Sequence, residues 1–202
     1  MDAIIGPVIF PMTPENLRSF IYGLELAQEP QEFERLLNFM ATSKSVLEIG
    51  SRYGESLRRF AQRCQPHSRL VAVDLGGYSE DVEINKLIDP FESMKQKGVA
   101  IAEMGHEIKI IISDSHQQET IDLVKSLGPY DFIFIDGDHS YEGVKQDWLN
   151  YGPLGRRVCF HDIVGQEGVR DLWKEIKDTY TSEEFISPGS LMGIGCMTRT
   201  LF

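Results

Sequence analysis

The chain lacks a long apolar run. Nothing among its 202 residues reaches the roughly 18 uninterrupted apolar positions that a membrane-spanning helix needs, so no membrane partner is expected. Cysteine is scarce. Cys64, Cys159 and Cys196 are the only three, an odd number without C-x-x-C spacing. That excludes a disulfide scaffold and predicts reduced thiols in a reducing compartment, the cytoplasm. Basic residues are outnumbered, with 20 Lys and Arg against 31 Asp and Glu, for a formal charge of −11. A nucleic-acid backbone needs a basic surface, so no nucleic acid is expected as partner, although a local basic pocket remains compatible with this charge. No internal repeat, low-complexity stretch or linker interrupts the chain. The N-terminus also lacks the basic start and unbroken apolar centre of a signal peptide. Its "MDAIIGPVIFPMTP" carries Asp2 and prolines at 7, 11 and 14, and reads as an extended arm that packs on the domain or on a partner subunit, in which case the chain forms a homodimer.

What is present is an alternation of two kinds of segment. Short apolar runs rich in β-branched residues occupy 45–50, 69–75, 108–114, 131–136 and 157–162. Between them lie stretches of helical spacing, such as "GESLRRFAQRC", with Leu57, Phe60 and Ala61 on one face, and "QQETIDLVKSLG", closed by Gly128 as a C-cap. "YEGVKQDWLNY" and "EGVRDLWKEIKDTY" continue the pattern, and "LRSFIYGLELA" and "EFERLLNFM" read as two helices ahead of the first strand. Continuous apolar strands alternating with helices predict an α/β fold, a doubly wound, Rossmann-like and mostly parallel sheet with helices on both faces. Residues 1–40 are expected to form an N-terminal arm and helices, and 41–202 the main domain. The stretch 76–107 is longer than one crossover needs. It is expected to hold a helix near 89–103 and a mobile polar loop.

In such a sheet ligands bind outside the carboxyl ends of the strands, so the residues ending each strand carry the functional reading. The first strand ends "EIGSRYGES". Glu48, Gly50 and Gly54, with Ser51 in the loop between, form a glycine turn that opens a helix and allows close backbone approach to a ligand; it reads equally as plain turn geometry. It is not a Walker loop, and Arg52 stands where a dinucleotide fingerprint has its central glycine. The second strand ends at Asp74, placed to accept hydrogen bonds from ribose hydroxyls or to cap a helix. The third ends at Asp114 and Ser115, which read equally as contacts to a base and as caps of the next helix. The fourth gives Asp136, Asp138 and His139, and the fifth His161 and Asp162. Carboxylates and imidazoles on adjacent strand ends are suitable ligands for a divalent cation, and grouping Asp136, Asp138 and Asp162 without one is electrostatically costly.

Taken in order, these residues resemble the class I S-adenosylmethionine-dependent methyltransferases over roughly residues 40 to 202. "FIDGDHSYEGVKQDW" followed by "CFHDI" is similar to the metal-dependent small-molecule O-methyltransferases, including the macrolide sugar methyltransferases and the cephalosporin-hydroxylase-like branch. The resemblance implies methyl transfer from S-adenosyl-L-methionine to an oxygen of a small-molecule acceptor. It implies that Glu48, Gly50, Ser51 and Gly54 hold the methionine part of the cofactor, that Asp74 takes the ribose and Asp114 and Ser115 the adenine, and that Asp136 stands at the junction of cofactor and metal. Asp136 and Asp162 would be metal ligands, His161 stands where relatives often have a carboxylate, and His139 would be the general base. The implied metal is Mg or Mn, with the imidazole favouring Mn, Fe or Zn over Mg. It also implies a C-terminal antiparallel hairpin within "EFISPGSLMGIGCMTRTLF".

Other classes fit less well. A catalytically silent cofactor-binding subunit and a metal-dependent hydroxylase-like relative share the motifs. A nicotinamide oxidoreductase lacks its central glycine here. A phosphatase would carry its D-x-D on the first strand rather than the fourth. Trp148 and Trp173 lie on helical faces and read as core, His67 and His106 as surface, Tyr141 and Glu142 as a helix start, and Tyr78 as a loop residue able to touch substrate.

Overall fold

The central strands are buried on both faces, which is why they read as unbroken apolar runs. In the computed structural model, which describes residues 28–76 and 89–199, helix α1 (Pro30–Met40) leads into β1 (Ser45–Ile49). The chain continues through α2 (Glu55–Arg63), β2 (Arg69–Asp74), α3 (Pro90–Glu103), β3 (Glu107–Ile112) and α4 (Gln118–Leu127). It then forms β4 (Tyr130–Ile135), α5 (Tyr141–Tyr151), β5 (Gly155–His161), α6 (Glu167–Ile176), β6 (Thr181–Phe185) and β7 (Ile194–Thr198). The sheet has seven strands in the order β3-β2-β1-β4-β5-β7-β6. The first five strands pair in parallel and β7 returns antiparallel to both β5 and β6. The doubly wound sheet and the terminal hairpin match the expectation from sequence.

Alternate residues of each strand feed opposite layers. Leu47, Ile49, Val73, Ile133, Ile135 and Phe160 pack with Val144, Trp148 and Trp173 of α5 and α6. Val46, Leu70, Phe132 and Phe134 face the other way, against Phe33, Leu36 and Met40 of α1 and Leu57 and Phe60 of α2. Phe60 meets Phe132 and Phe134 edge-on, with centroids 5.4 and 5.5 Å apart, a geometry that aligns the positive ring edge with the negative face. Both tryptophans are core residues. His67 is exposed, whereas His106 is half-buried and accepts the Ser68 N–H at 3.1 Å.

Gly128 and the helix expected near 89–103 are found where the sequence put them, and the reading of the cysteines is overturned. Gly128 follows α4 as its C-cap, in extended conformation. Two of the three cysteines are not reduced: Cys159 and Cys196 form a disulfide, and only Cys64 is free. Cysteine spacing could not reveal this, because the partners are directly opposite across the antiparallel β5–β7 pair. Helix α3 starts at Pro90, with Asp89 accepting from the N–H groups of Phe91 and Glu92. The N-terminal arm, "LRSFIYGLELA", Tyr78 and the polar loop before α3 lie outside the described residues. Among the described residues, no helix is long and apolar enough to cross a membrane.

Candidate active site

Gly50 ends β1 with φ +84°, and a Cβ there would fall 2.1 Å from the carbonyl oxygen of Asp136. Only glycine allows that backbone and that approach. The loop after it is pinned by Asp74, whose Oδ2 accepts from Ser51 N at 2.8 Å and Arg52 N at 2.7 Å, while Oδ1 accepts from Gly76 N at 2.7 Å. Three of the carboxylate's roughly four acceptor positions are thus used internally. Asp74 holds the glycine loop first and offers its remaining capacity to the cleft. Arg52, which stands where a dinucleotide fingerprint has its central glycine, takes the left-handed backbone itself, with φ 47°.

Glu48 is fully buried behind this loop. Its Oε2 accepts from the Ser51 hydroxyl at 2.6 Å, and its Oε1 has no hydrogen-bond partner among the described residues. Burial pushes its pKa up to about 8, against the hydrogen bonds of Ser51 and Ser56, so it is a neutral acid at pH 7. Gly54, in left-handed conformation, opens α2.

After β3, Asp114 Oδ1 accepts from His116 N at 2.8 Å, a local turn. The residue capping α4 is Gln117, with no side-chain bond, so neither Asp114 nor Ser115 caps that helix. The Ser115 hydroxyl instead donates to Asp147 Oδ1 at 2.8 Å, and the Tyr151 hydroxyl donates to the Ser115 carbonyl at 2.5 Å. Asp147 is completely buried on α5. Burial pushes its pKa up to about 6, with the Ser115 hydroxyl and the charge of nearby His116 acting the other way. Its role escaped the sequence reading, although a signal existed: Asp147 stands three residues after Val144, on the helix face that carries Trp148 and Tyr151 into the core.

The ends of β4 and β5 converge. Asp136 Oδ1 lies 3.4 Å from His139 Nε2 and 3.2 Å from His161 Nδ1. Asp162 Oδ2 lies 3.6 Å from His139 Nε2 and 3.2 Å from the same His161 Nδ1. Asp162 reaches this position from left-handed backbone, φ 62°, a conformation a short polar side chain tolerates better than most. The second oxygen of Asp136 accepts from Gln28 Nε2 at 2.9 Å. Burial alone would raise the Asp136 pKa, but the charge of His161 and the hydrogen bonds of both imidazoles hold it well below the usual carboxylate range. Burial alone would lower that of His161, but the charge of Asp136 and the hydrogen bonds of Asp136 and Asp162 bring it to about 10. His139 is also raised, chiefly by its hydrogen bond to Asp136.

Two corrections follow for the grouped carboxylates. Asp138 does not join the cluster; its Oδ1 accepts from Ser140 N at 2.8 Å, closing the turn ahead of α5, and its carboxylate packs against Gly143. The remaining pair, Asp136 and Asp162, has imidazoles beside it to balance charge, so electrostatics alone do not demand a metal. The donor set is nonetheless suited to one: ligand atoms of Asp136, His161 and Asp162 all lie within 4.8 Å of one another.

The glycine loop, the ends of β2 and β3 and the Asp136–His139 turn line one cleft. A cleft of about 800 Å³ runs along the carboxyl edge of the sheet, lined by Gly50, Asp74, Asp114 and Ser115 at one end and by Asp136 and His139 at the other. This is within the size range of small-molecule and cofactor sites. Glu48 and Ser51 are buried behind the glycine loop.

A sheet in this order, with a glycine turn after β1, an acid after β2 and an acid–imidazole cluster after β4 and β5, defines the class I methyltransferase fold. The chain belongs to the family described as "Methyltransferase domain", which matches residues 47–163. The same fold is found in an O-methyltransferase from Bacillus cereus solved with S-adenosylhomocysteine. That protein is 16% identical, with coverage of 95% of this chain and 94% of the other and a TM-score of 0.63. It is found again in TomG of Streptomyces achromogenes, an O-methyltransferase involved in tomaymycin synthesis solved with S-adenosylmethionine (18% identity, 91% and 86% coverage, TM-score 0.58). CalS11, a TDP-rhamnose 3′-O-methyltransferase of calicheamicin biosynthesis, also shares it (14% identity, 94% and 87% coverage, TM-score 0.61). No curated protein sequence matches the chain.

Proposed function

We propose that this methyltransferase moves the methyl group of S-adenosylmethionine to an oxygen of a small-molecule acceptor. The observation that carries the reading is the continuity of the cleft: it joins the glycine loop, Asp74 and Asp114 to an imidazole, His139, held between two carboxylates. The O-methyltransferases with the same fold support the choice of oxygen.

The reaction is an in-line displacement. The acceptor oxygen attacks the methyl carbon, the carbon–sulfur bond breaks, S-adenosylhomocysteine leaves, and the acceptor's hydroxyl proton passes to the His139 imidazole. The glycine loop, Asp74 and the Asp114–Ser115 turn hold the cofactor, and orienting the two reactants can supply about 7–11 kcal/mol of the barrier. A positioned general base adds about 10²–10⁴-fold. Asp136, His161 and Asp162 would hold a divalent cation, whose Lewis acidity would lower the pKa of a bound acceptor hydroxyl. The imidazole suits Mn better than Mg. An imidazole must be neutral to ligate, so cation affinity should rise with pH as His161 loses its proton.

A second reading rests on the same cluster: with His161 protonated between Asp136 and Asp162, the site is balanced without a cation, and His139 works alone. Turnover of diol acceptors with and without a chelator, beside Asp162→Ala and His139→Ala, separates the two. Loss in chelator and in Asp162→Ala supports the metal. Activity that survives the chelator and falls about 10²–10⁴-fold only in His139→Ala supports the second. The Asp136 hydrogen bond raises the pKa of His139 above the ordinary imidazole value, so in the cation-free reading kcat should climb with pH as its basic form grows.

A further inference from the structure

One contact in the cluster comes from outside the region that matches the family. Gln28 precedes α1 and stands well ahead of residues 47–163, yet its side chain is buried, with 8% of its surface exposed, and ends on Asp136 Oδ2 at 2.9 Å. A carboxylate can only accept, so the carboxamide is fixed with its NH₂ toward Asp136. The consequence falls on the other oxygen. With Oδ2 held, Oδ1 is the atom presented to His139 and His161.

The same short segment reaches the second carboxylate-bearing strand end. Glu32, in the first turn of α1 and 1% exposed, accepts from Ser187 N at 2.7 Å and Gly193 N at 2.9 Å in the loop between β6 and β7. Gly193 O in turn accepts from Ile163 N, the residue after Asp162. Residues 28–32 thus touch Asp136 directly and the Asp162 turn through Gly193.

We propose that Gln28 is a positioning residue of the catalytic centre: its carboxamide fixes which oxygen of Asp136 faces the two imidazoles, tying the reacting edge of the sheet to the chain ahead of α1. The proposal rests on the catalytic reading of the Asp136 cluster and adds to it a residue that the family match does not reach. Partners of this kind, one bond behind a ligand or a base, change metal affinity or activity by about 10–100-fold when removed.

The test uses two variants of the full chain. Gln28→Met keeps the volume and the packing but removes the donor; Gln28→Glu keeps the shape but places an acceptor against Asp136. Expected for Gln28→Met is a kcat about 10–100-fold lower with KM for S-adenosylmethionine unchanged, Mn²⁺ affinity reduced by a similar factor, and a melting temperature near that of the wild type. Gln28→Glu should lose at least as much kcat. A residue that only packs would shift melting temperature and leave kcat and Mn²⁺ affinity in place, and that result overturns the proposal. If wild-type protein neither turns over nor binds Mn²⁺, the methyltransferase reading fails on its own, and a crystal structure of Gln28→Met decides this proposal. An Asp136 carboxylate rotated away from His161 upholds it, and one unmoved from the 3.2 Å contact overturns it.

Discussion

Glu48 stands in the least favourable position of any acid along β1 and β2: fully buried, with Oε2 held by Ser51 and Oε1 without a partner among the described residues. Its folded-state pKa, about 8 against an ordinary 4.5, means that the folded chain binds this proton more tightly than the unfolded chain. Stability is therefore full below the ordinary value and is lost as pH rises toward about 8. Glu48→Gln keeps the acceptor for Ser51 and removes the titration. Its melting temperature should match the wild type near about pH 5 and exceed it near about pH 8, and a difference independent of pH would contradict the assignment. At this scale the sequence was legible where a polar residue ends an apolar run: Asp74, Asp136, His139, His161 and Asp162 all stand at strand ends and all meet at one edge. What it hid were partners brought in by folding. Gln28 reaches Asp136 across 108 positions of chain, and Asp147 reads as an ordinary helix residue until its turn is placed against Ser115. Asp138 shows the converse, since adjacency to Asp136 did not put it in the cluster.

Between elements, the His139 turn is set by its contact with α6. A Cβ on Gly168 would lie 2.3 Å from Tyr141 N and 2.4 Å from His139 O, so the first turn of α6 packs on the backbone that carries the proposed base. Lys145 and Glu175 clamp α5 to α6 further along, with Lys145 Nζ 2.8 Å from the Tyr141 hydroxyl, which bonds Glu175. Gly168→Ala must push the two apart, and because a displacement of about 1 Å can cost about 10²-fold, kcat should fall by that order while cofactor affinity holds. Unchanged kcat would show that the turn does not depend on α6. The parallel strands were readable because each is short and rich in apolar residues, and the helices because each has one apolar face; β6, with the sequence TSEEF, carries no such signal. The β6–β7 hairpin was readable through the family resemblance, but the β5–β7 register, which sets Cys159 against Cys196, was not, because it depends on which strand the return lies beside.

Across the whole molecule, the two packed layers leave one polar edge, and the cleft lies there. The formal charge of −11 favours a cationic ligand over an anionic one at long range, and the sulfonium of S-adenosylmethionine is such a cation. The internal bonds of Asp74 link the proposed cofactor contact to loop order: removing that carboxylate frees the Ser51 and Arg52 N–H groups as well as the proposed ribose contact. The most direct measurement is therefore a calorimetric titration of the wild type and Asp74→Ala with S-adenosylhomocysteine. One-to-one binding by the wild type, weakened at least about tenfold by Asp74→Ala, is the predicted result; no binding to the wild type, or equal affinity in the variant, would contradict it.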